Sequence, residues 1–233
     1  MINLDTRVMF VTVIYGFVCR PCSAQHTNPV LAANAATSAT SRVGVSGGMG
    51  VSYVNALDIV DRINATAGVN ERVSDFKSAV EFFGAVDVPV SEDWAVNLEY
   101  AYLLASFNVA STFTNTDFSF VAHMPTIIGQ YIVLEEGTYN VKVGIGAGYH
   151  FGFFSEKYGT VDDTYSGKGI GTKFDLEANT AFGEDLFGYF GADLRWEFIG
   201  TLTNGSSSVA AASPLPTLDF FSVGAKLGFT YYF

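Results

Sequence analysis

The spacing Cys19-x-x-Cys22 is one that redox and zinc chemistry use, but such sites also need a second thiol pair or histidines, and neither stands nearby. His150, Ser155 and Glu156 form the one set in which a base, a nucleophile and a carboxylate lie close in sequence. Covalent catalysis needs nucleophile and base within hydrogen-bond reach. Here His150 falls within a strand-like segment and Ser155 past its end, so His150 reads as an enclosed histidine near a carboxylate, and His123 beside Pro125 reads the same way. Asp162 and Asp163 lack the regular series of oxygen ligands that a calcium loop requires. The glycines of Val143 to Gly148 (VGIGAG) resemble a dinucleotide fingerprint only in spelling, because no helix follows them. No catalytic residue, metal ligand or cofactor site is expected, and the chain is read as a non-enzyme.

The elements that carry these residues are strands. Between Val43 and Phe233, segments of about ten residues alternate in character, the period of a strand with two unlike faces. In the last, Phe221, Val223, Ala225, Leu227, Phe229, Tyr231 and Phe233 alternate with Ser222, Gly224, Lys226, Gly228, Thr230 and Tyr232. From Tyr139 to Phe153 an apolar parity opposes Asn140, Lys142, the three glycines Gly144, Gly146 and Gly148, His150 and Gly152. Phe174, Leu176 and Ala178 oppose Lys173, Asp175, Glu177 and Asn179, while Ala192, Leu194, Trp196 and Phe198 oppose Asp193, Arg195 and Glu197. Trp94, Val96, Leu98, Tyr100 and Tyr102 face away from Asn97 and Glu99, and Val80, Phe82, Val86, Val88 and Val90 away from Glu81 and Asp87. A Gly-rich first strand keeps Val45, Met49, Val51 and Tyr53 on one side. The fourth, around Phe118 to Val133, starts regularly at Phe118 and Phe120 but meets Pro125, where a bulge or local edge is expected.

Eight strands result, and their connections alternate. A long one follows Tyr53, with turns at 91–93, 135–138 and 183–186 and longer loops near 107–116, 155–167 and 202–218. The first long loop contains ALDIVDRINATAG, in which Leu57, Val60, Ile63 and Ala67 fall on one face of a short helix.

Composition agrees with strands. Aromatics make up 15% of the chain, with 21 Phe, 12 Tyr and 24 Gly against 6 Pro, a balance that favours sheet and turn over helix. A net charge of −11 without a basic patch excludes nucleic acid as a partner. At the N-terminus, a polar start, an apolar run from Val8 to Val18 and the exit CRPCSA have the layout of a secretory signal peptide with cleavage near Ala24. Residues 1–24 are therefore read as a signal, 25–41 as a flexible periplasmic leader, and 42–233 as one domain. Both cysteines would leave with the signal.

Alternation alone fits a soluble barrel as well as a membrane one, but the placement of residues separates them. The apolar parity carries large aromatics at segment ends, Tyr53, Trp94, Tyr139, Phe153, Trp196 and Phe198, like the girdles of a membrane barrel. The polar parity is rich in Gly and Ala, which suits a narrow interior. The chain then reads as an all-β, eight-stranded antiparallel up-and-down transmembrane β-barrel. Its lumen would hold a polar network of Glu81, Asp87, Glu99, Lys142, His150, Lys173, Asp175, Glu177, Asp193, Arg195, Glu197 and Lys226. An interior of eight strands is filled by side chains, so a wide solute pore is not expected.

With its export signal, eight alternating strands and terminal GAKLGFTYYF, the chain resembles the small outer-membrane barrels of the OmpA, OmpX and OmpW type over residues 42–233. The resemblance implies an outer-membrane location among lipid, a monomer, and recognition of Phe229, Tyr231 and Phe233 by the barrel assembly machinery. Unlike in the two-domain OmpA type, no peptidoglycan-binding domain is expected after the barrel. The close His-x-Ser spacing of the lipid A-modifying barrels is absent around His150. The functional expectation is an outer-membrane barrel with a mostly side-chain-filled lumen and a structural or surface-interaction role through its outer loops. The alternatives are a narrow channel or binding barrel for small hydrophobic molecules, and a soluble periplasmic ligand-binding barrel.

Overall fold

The computed structural model describes residues 42–65, 78–110, 115–158, 161–204 and 217–233. The expected signal (1–24), the leader (25–41) and Ala67 lie outside them. Eight strands follow in order: β1 (Gly44–Asn55), β2 (Ala79–Pro89), β3 (Trp94–Ala110), β4 (Asn115–Glu136), β5 (Tyr139–Tyr158), β6 (Val161–Ala181), β7 (Leu186–Thr201) and β8 (Thr217–Tyr232). Each pairs antiparallel with the next, and β8 returns to β1 from Gly44↔Tyr232 to Asn55↔Phe221, closing the barrel. Closure pairs each strand on both sides through the lower barrel, as a wall away from water requires, while 105–110 of β3 and 161–169 of β6 are paired in a ladder on one side only. Short connections join β2 to β3, β4 to β5 and β6 to β7 at one end, where both barrel termini also lie. There Arg42 bonds the carbonyls of Tyr232 and Phe233 and the carboxylate of Asp185, and Phe233 N donates to Val43 O at 3.0 Å.

Strand lengths are uneven. β1 and β2 have 12 and 11 residues, whereas β4, β5 and β6 have 22, 20 and 21. The loops expected near 107–116 and 155–167 are in large part ladder instead. Phe107↔Phe118 to Ala110↔Asn115 and Ser155↔Thr164 to Tyr158↔Val161 are paired. Polar residues such as Asp162, Asp163 and Ser166 made the second stretch look like a loop, yet backbone pairing continues through it because a strand standing clear of apolar surroundings keeps its ladder without keeping an apolar face.

Pro125 causes no bulge. The β4–β5 register is the same at His123↔Phe151 and Thr126↔Gly148, and only the two intervening pairs drop out, as the missing proline N–H requires. The register shift lies instead between Ile132 and Leu134, near the short-turn end. A second shift, between Phe198 and Thr201 on the β7–β8 seam, contains Gly200 at φ 74°, a left-handed conformation that favours glycine, and Gly200 N donates to Asp219 Oδ1 at 2.7 Å.

The expected helix is present as α1 (Leu57–Ala65), directly after β1 and packed against β8. Its buried face is Ile59, Val60 and Ile63. Leu57, expected on that face, is 56% exposed. The helix starts at Leu57 with Asp58, favourable to its dipole, in the first turn; Leu57 faces outward and Ile59 takes the place expected of it.

Candidate functional site

The period-2 pattern gives the barrel two unlike surfaces. On β2 the burial alternates strictly, with Ala79, Glu81, Phe83, Ala85 and Asp87 inside and Val80, Phe82, Val86 and Val88 outside. All twelve ionisable residues of the expected network are buried inside the barrel. Outside, Val45, Met49, Phe82, Leu98, Ile127, Ile145, Phe174, Phe190, Leu227 and many others are exposed, so the wall is apolar and the interior ionic. Tyr53, Trp94, Phe153, Trp196 and Phe198 are exposed on that wall, and Tyr139 is half-buried at the first position of β5.

The interior is layered. At the short-turn end the groups are neutral: Ser46 Oγ lies 2.9 Å from Thr230 Oγ1, Thr230 donates to Asn179 Oδ1 at 2.9 Å, and Asn179 donates to Asn140 Oδ1 at 3.0 Å. Above them Lys142 Nζ binds Asp87 Oδ2 at 2.8 Å and Glu177 Oε1 at 2.9 Å. Asn97 donates to Asp87 at 2.7 Å and Gln130 to Glu177 at 2.9 Å.

The next layer is a single ionic cluster. Arg195 Nη2 reaches Glu81 at 2.7 Å, Asp193 at 3.0 Å and Glu99 at 3.2 Å. Lys226 Nζ reaches Glu99 at 2.8 Å, Glu81 at 3.0 Å and Asp193 at 3.1 Å, and Lys173 Nζ reaches Glu99 and Asp175 at 2.8 Å each. Lys173 meets Asp175 Oδ1 off the hydrogen-bond direction, so that oxygen has a charge contact without a hydrogen bond. The cluster links β2, β3, β6, β7 and β8 across the lumen. Highest of the twelve expected groups, His150 Nδ1 pairs with Glu197 and its Nε2 lies 3.2 Å from Thr126 Oγ1. Glycines make this crowding fit: a Cβ on Gly171 would run into both His150 and Glu197.

Above His150 the interior changes character. Leu103, Phe118, Phe120, Ala122, Met124, Phe154, Ile199, Leu202, Leu218 and Phe220 pack with Ile59, Val60 and Ile63 of α1 into one apolar plug. Alternation along the strands misleads here: at Phe153/Phe154 and Phe198/Ile199 both parities are apolar, and around Phe118 and Leu218 the pattern inverts, with Asp117, Ser119 and Asp219 turned outward. Phe118 and Phe120 point inward, and with them the expectation of a polar lumen is confined to the lower part. Phe83 joins the layers, its ring 4.9 Å from Lys226 Nζ and 4.8 Å from Tyr189. Sequence reasoning missed Glu156, buried at this upper level, and Gln130 as inward-facing groups; Asn97, Asn140 and Asn179 it placed on the polar parity but left out of the ionic network.

The candidate catalytic set is dispersed. His150 faces inward, whereas Ser155 faces outward and shares a hydrogen bond with Thr164 at 3.1 Å. Among the described residues no group of three or more His, Cys, Asp or Glu is arranged to hold a metal ion, and no helix is long and apolar enough to cross a membrane. What the arrangement can do is block: two stacked fillings, one ionic and one apolar, occupy the lumen.

No protein-family model matches the sequence, and no curated protein is found as a relative. Among solved structures, the chain is similar to the attachment invasion locus protein Ail of Yersinia pestis at 14% identity and TM-score 0.49, covering 83% of this chain and 99% of that one. It is similar to Neisserial surface protein A at 12% identity and TM-score 0.49, covering 82% and 97%. The outer membrane protein OprG from Pseudomonas aeruginosa is similar at 14% identity and TM-score 0.45, covering 83% and 96%. The fold itself is established by the closed ladder.

Proposed function

We propose that this chain is an exported, monomeric outer-membrane barrel with a blocked lumen, acting through its outer rim in surface interaction or as a structural element of the membrane. The observation that carries it is the inversion of the two surfaces: exposed Val, Leu, Ile and Phe cover the wall while seven carboxylates, four cations and a histidine are enclosed. Water would expose that wall at a cost of about 25 cal/mol per Å² of apolar area, whereas acyl chains do not. The short turns at the end that holds both barrel termini support a periplasmic position for that end, with the longer β1–β2 and β7–β8 connections outside. Phe229, Tyr231 and Phe233, exposed on the closing strand, supply the signal for the barrel assembly machinery.

Extracted protein that migrates on gels as a heat-modifiable band and fractionates with outer membrane, together with planar bilayers that stay silent, is the expected outcome. Discrete conductance steps would refute the blocked lumen, and a product soluble without detergent would refute the membrane placement. The apolar plug favours a second reading, a binding barrel in which a small hydrophobic molecule takes the place of α1. Saturable uptake of such a molecule by detergent-solubilised barrel, with loss of heat-modifiable protection in the Ile59–Ile63 region, would replace the first reading by the second.

A further inference from the structure

We propose that the outer wall holds one phosphorylated membrane lipid, its acyl chain in an open groove that crosses β1 to β5 and its phosphate above that groove, at His123 of β4 and Lys168 of β6; this rests on the membrane placement above. The groove encloses about 680 Å³, and Val86, Leu98, Tyr100, Pro125, Ile127 and Tyr149 line it. Its volume lies within the range of about 300–1,000 Å³ of small-molecule sites. It exists because Gly84 and Ala147, small residues on the outward parity, stand between larger ones, and because Pro125 interrupts the ladder to β5.

At the head of the groove the wall turns polar. His123 faces outward, where a histidine meets acyl chains rather than water, and it is held there by Tyr100, whose Oη lies 2.6 Å from Nδ1. The rings of Tyr102 and Phe153 meet the imidazole at 5.1 and 5.6 Å, both near edge-on. With Nδ1 engaged, Nε2 is the ring atom left to meet a headgroup. His123 and Lys168 belong to one row across the wall, Tyr102↔His123↔Phe151↔Lys168. Among the described residues, Lys157 and Lys168 are the only strand cations turned outward, and both lie on this side of the barrel.

The height of the row fits a headgroup. Tyr102 is eight residues above Trp94, which at about 3.4 Å per residue and a tilt of about 40° places it about 21 Å up, within an apolar band about 25 Å tall. Each further strand raises the row by about 3 Å, since strands about 4.8 Å apart are tilted together. His123 therefore stands at the edge of the band and Lys168 beyond it, at the level of outer phosphates. A charge-assisted contact from Lys168 and a histidine donor, flanked by aromatic rings, is chemistry that selects a phosphate over a zwitterionic or neutral headgroup.

The test is native mass spectrometry of the barrel in maltoside, titrated with dioleoyl phosphatidic acid or dioleoyl phosphatidylcholine. The expected result is one retained phosphatidic acid at a tenfold lower lipid concentration than phosphatidylcholine. In the double variant His123→Phe and Lys168→Gln, still heat-modifiable on gels, that preference falls to none. Equal retention of both lipids, or an unchanged preference in the variant, overturns the proposal. So does displacement of the lipid by excess inorganic phosphate, which would leave only a site for the free anion. Failure of the membrane placement would show separately, as barrel that does not float with phosphatidylcholine vesicles.

Discussion

Replacing Glu99 by alanine removes the carboxylate at the centre of the ionic cluster. Its Oε1 and Oε2 take Lys173 Nζ at 2.9 and 2.8 Å, Oε2 takes Lys226 Nζ at 2.8 Å, and Oε1 takes Arg195 Nη2 at 3.2 Å. Breaking a buried ion pair by deleting one partner costs about 3–5 kcal/mol, because the other charge stays enclosed. The three cations keep other carboxylates, Lys173 its Asp175, Arg195 its Glu81, and Lys226 both Glu81 and Asp193. That retained pairing puts the loss near the lower limit, about 3 kcal/mol, or about a hundredfold in the folding equilibrium. The assay is urea unfolding of barrel refolded into lipid vesicles, followed by tryptophan emission and the heat-shifted gel band. In the double variant Glu99→Ala, Lys226→Met one cation leaves with the carboxylate, so stability returns part of the way, and the difference gives the coupling between the two sites. A single variant within about 0.5 kcal/mol of the parent, with the same denaturant slope, would refute a cluster in which Glu99 is the shared acceptor.

Gly171→Ala is expected to destabilise by about 1–3 kcal/mol in the same assay, since the new Cβ meets His150 and Glu197 and forces them apart. Ile63→Ala, inside the plug of α1, should cost about 2–5 kcal/mol in that assay without changing the far-ultraviolet spectrum. Spin labels at Leu227 and Lys226 should separate by oxygen accessibility in vesicles, with the label at 227 in acyl chains and the one at 226 shielded; the reverse order would overturn the orientation of every strand. Phe233→Ala should reduce assembled barrel in cells while leaving spontaneous refolding in detergent unchanged, as read by the ratio of folded to unfolded gel bands.

Much of this architecture was legible in the sequence because period 2 is unambiguous wherever the two faces differ. β5 shows the reason: Lys142 and His150 alternate with Val143, Ile145 and Tyr149, so inside and outside separate without any knowledge of partners. The limits appear where the contrast fades. In the upper half Phe154 lines the interior beside the outward Phe153, and an apolar residue beside an apolar residue carries no sign of which way it points; at Phe118 the contrast is present but reversed, the polar Asp117 and Ser119 facing outward. Past the apolar band the contrast fades the other way. Asp162 to Ser166 is polar on both parities and still paired, so composition suggested a loop where the backbone ladder continues. The bulge near Val133 left no local mark, while Pro125, the marked residue, was accommodated by dropping two pairs. The ion pairs themselves join strands far apart in sequence, such as Glu81 with Arg195, and only closure of the ring brings them together.

The unequal strands give the barrel a sloping brim. At about 3.3 Å per residue and a tilt of about 40°, the 20 residues of β5 stand about 50 Å tall and the 11 of β2 about 28 Å. On the proposed membrane placement one flank thus stands about 22 Å taller than the other, which ends near the bilayer surface. A large body arriving from outside strikes the crest of the β5–β6 hairpin first and is held off the mouth. The low flank is the one where β1 gives way to α1, so the helix sits beneath the shorter side of the brim.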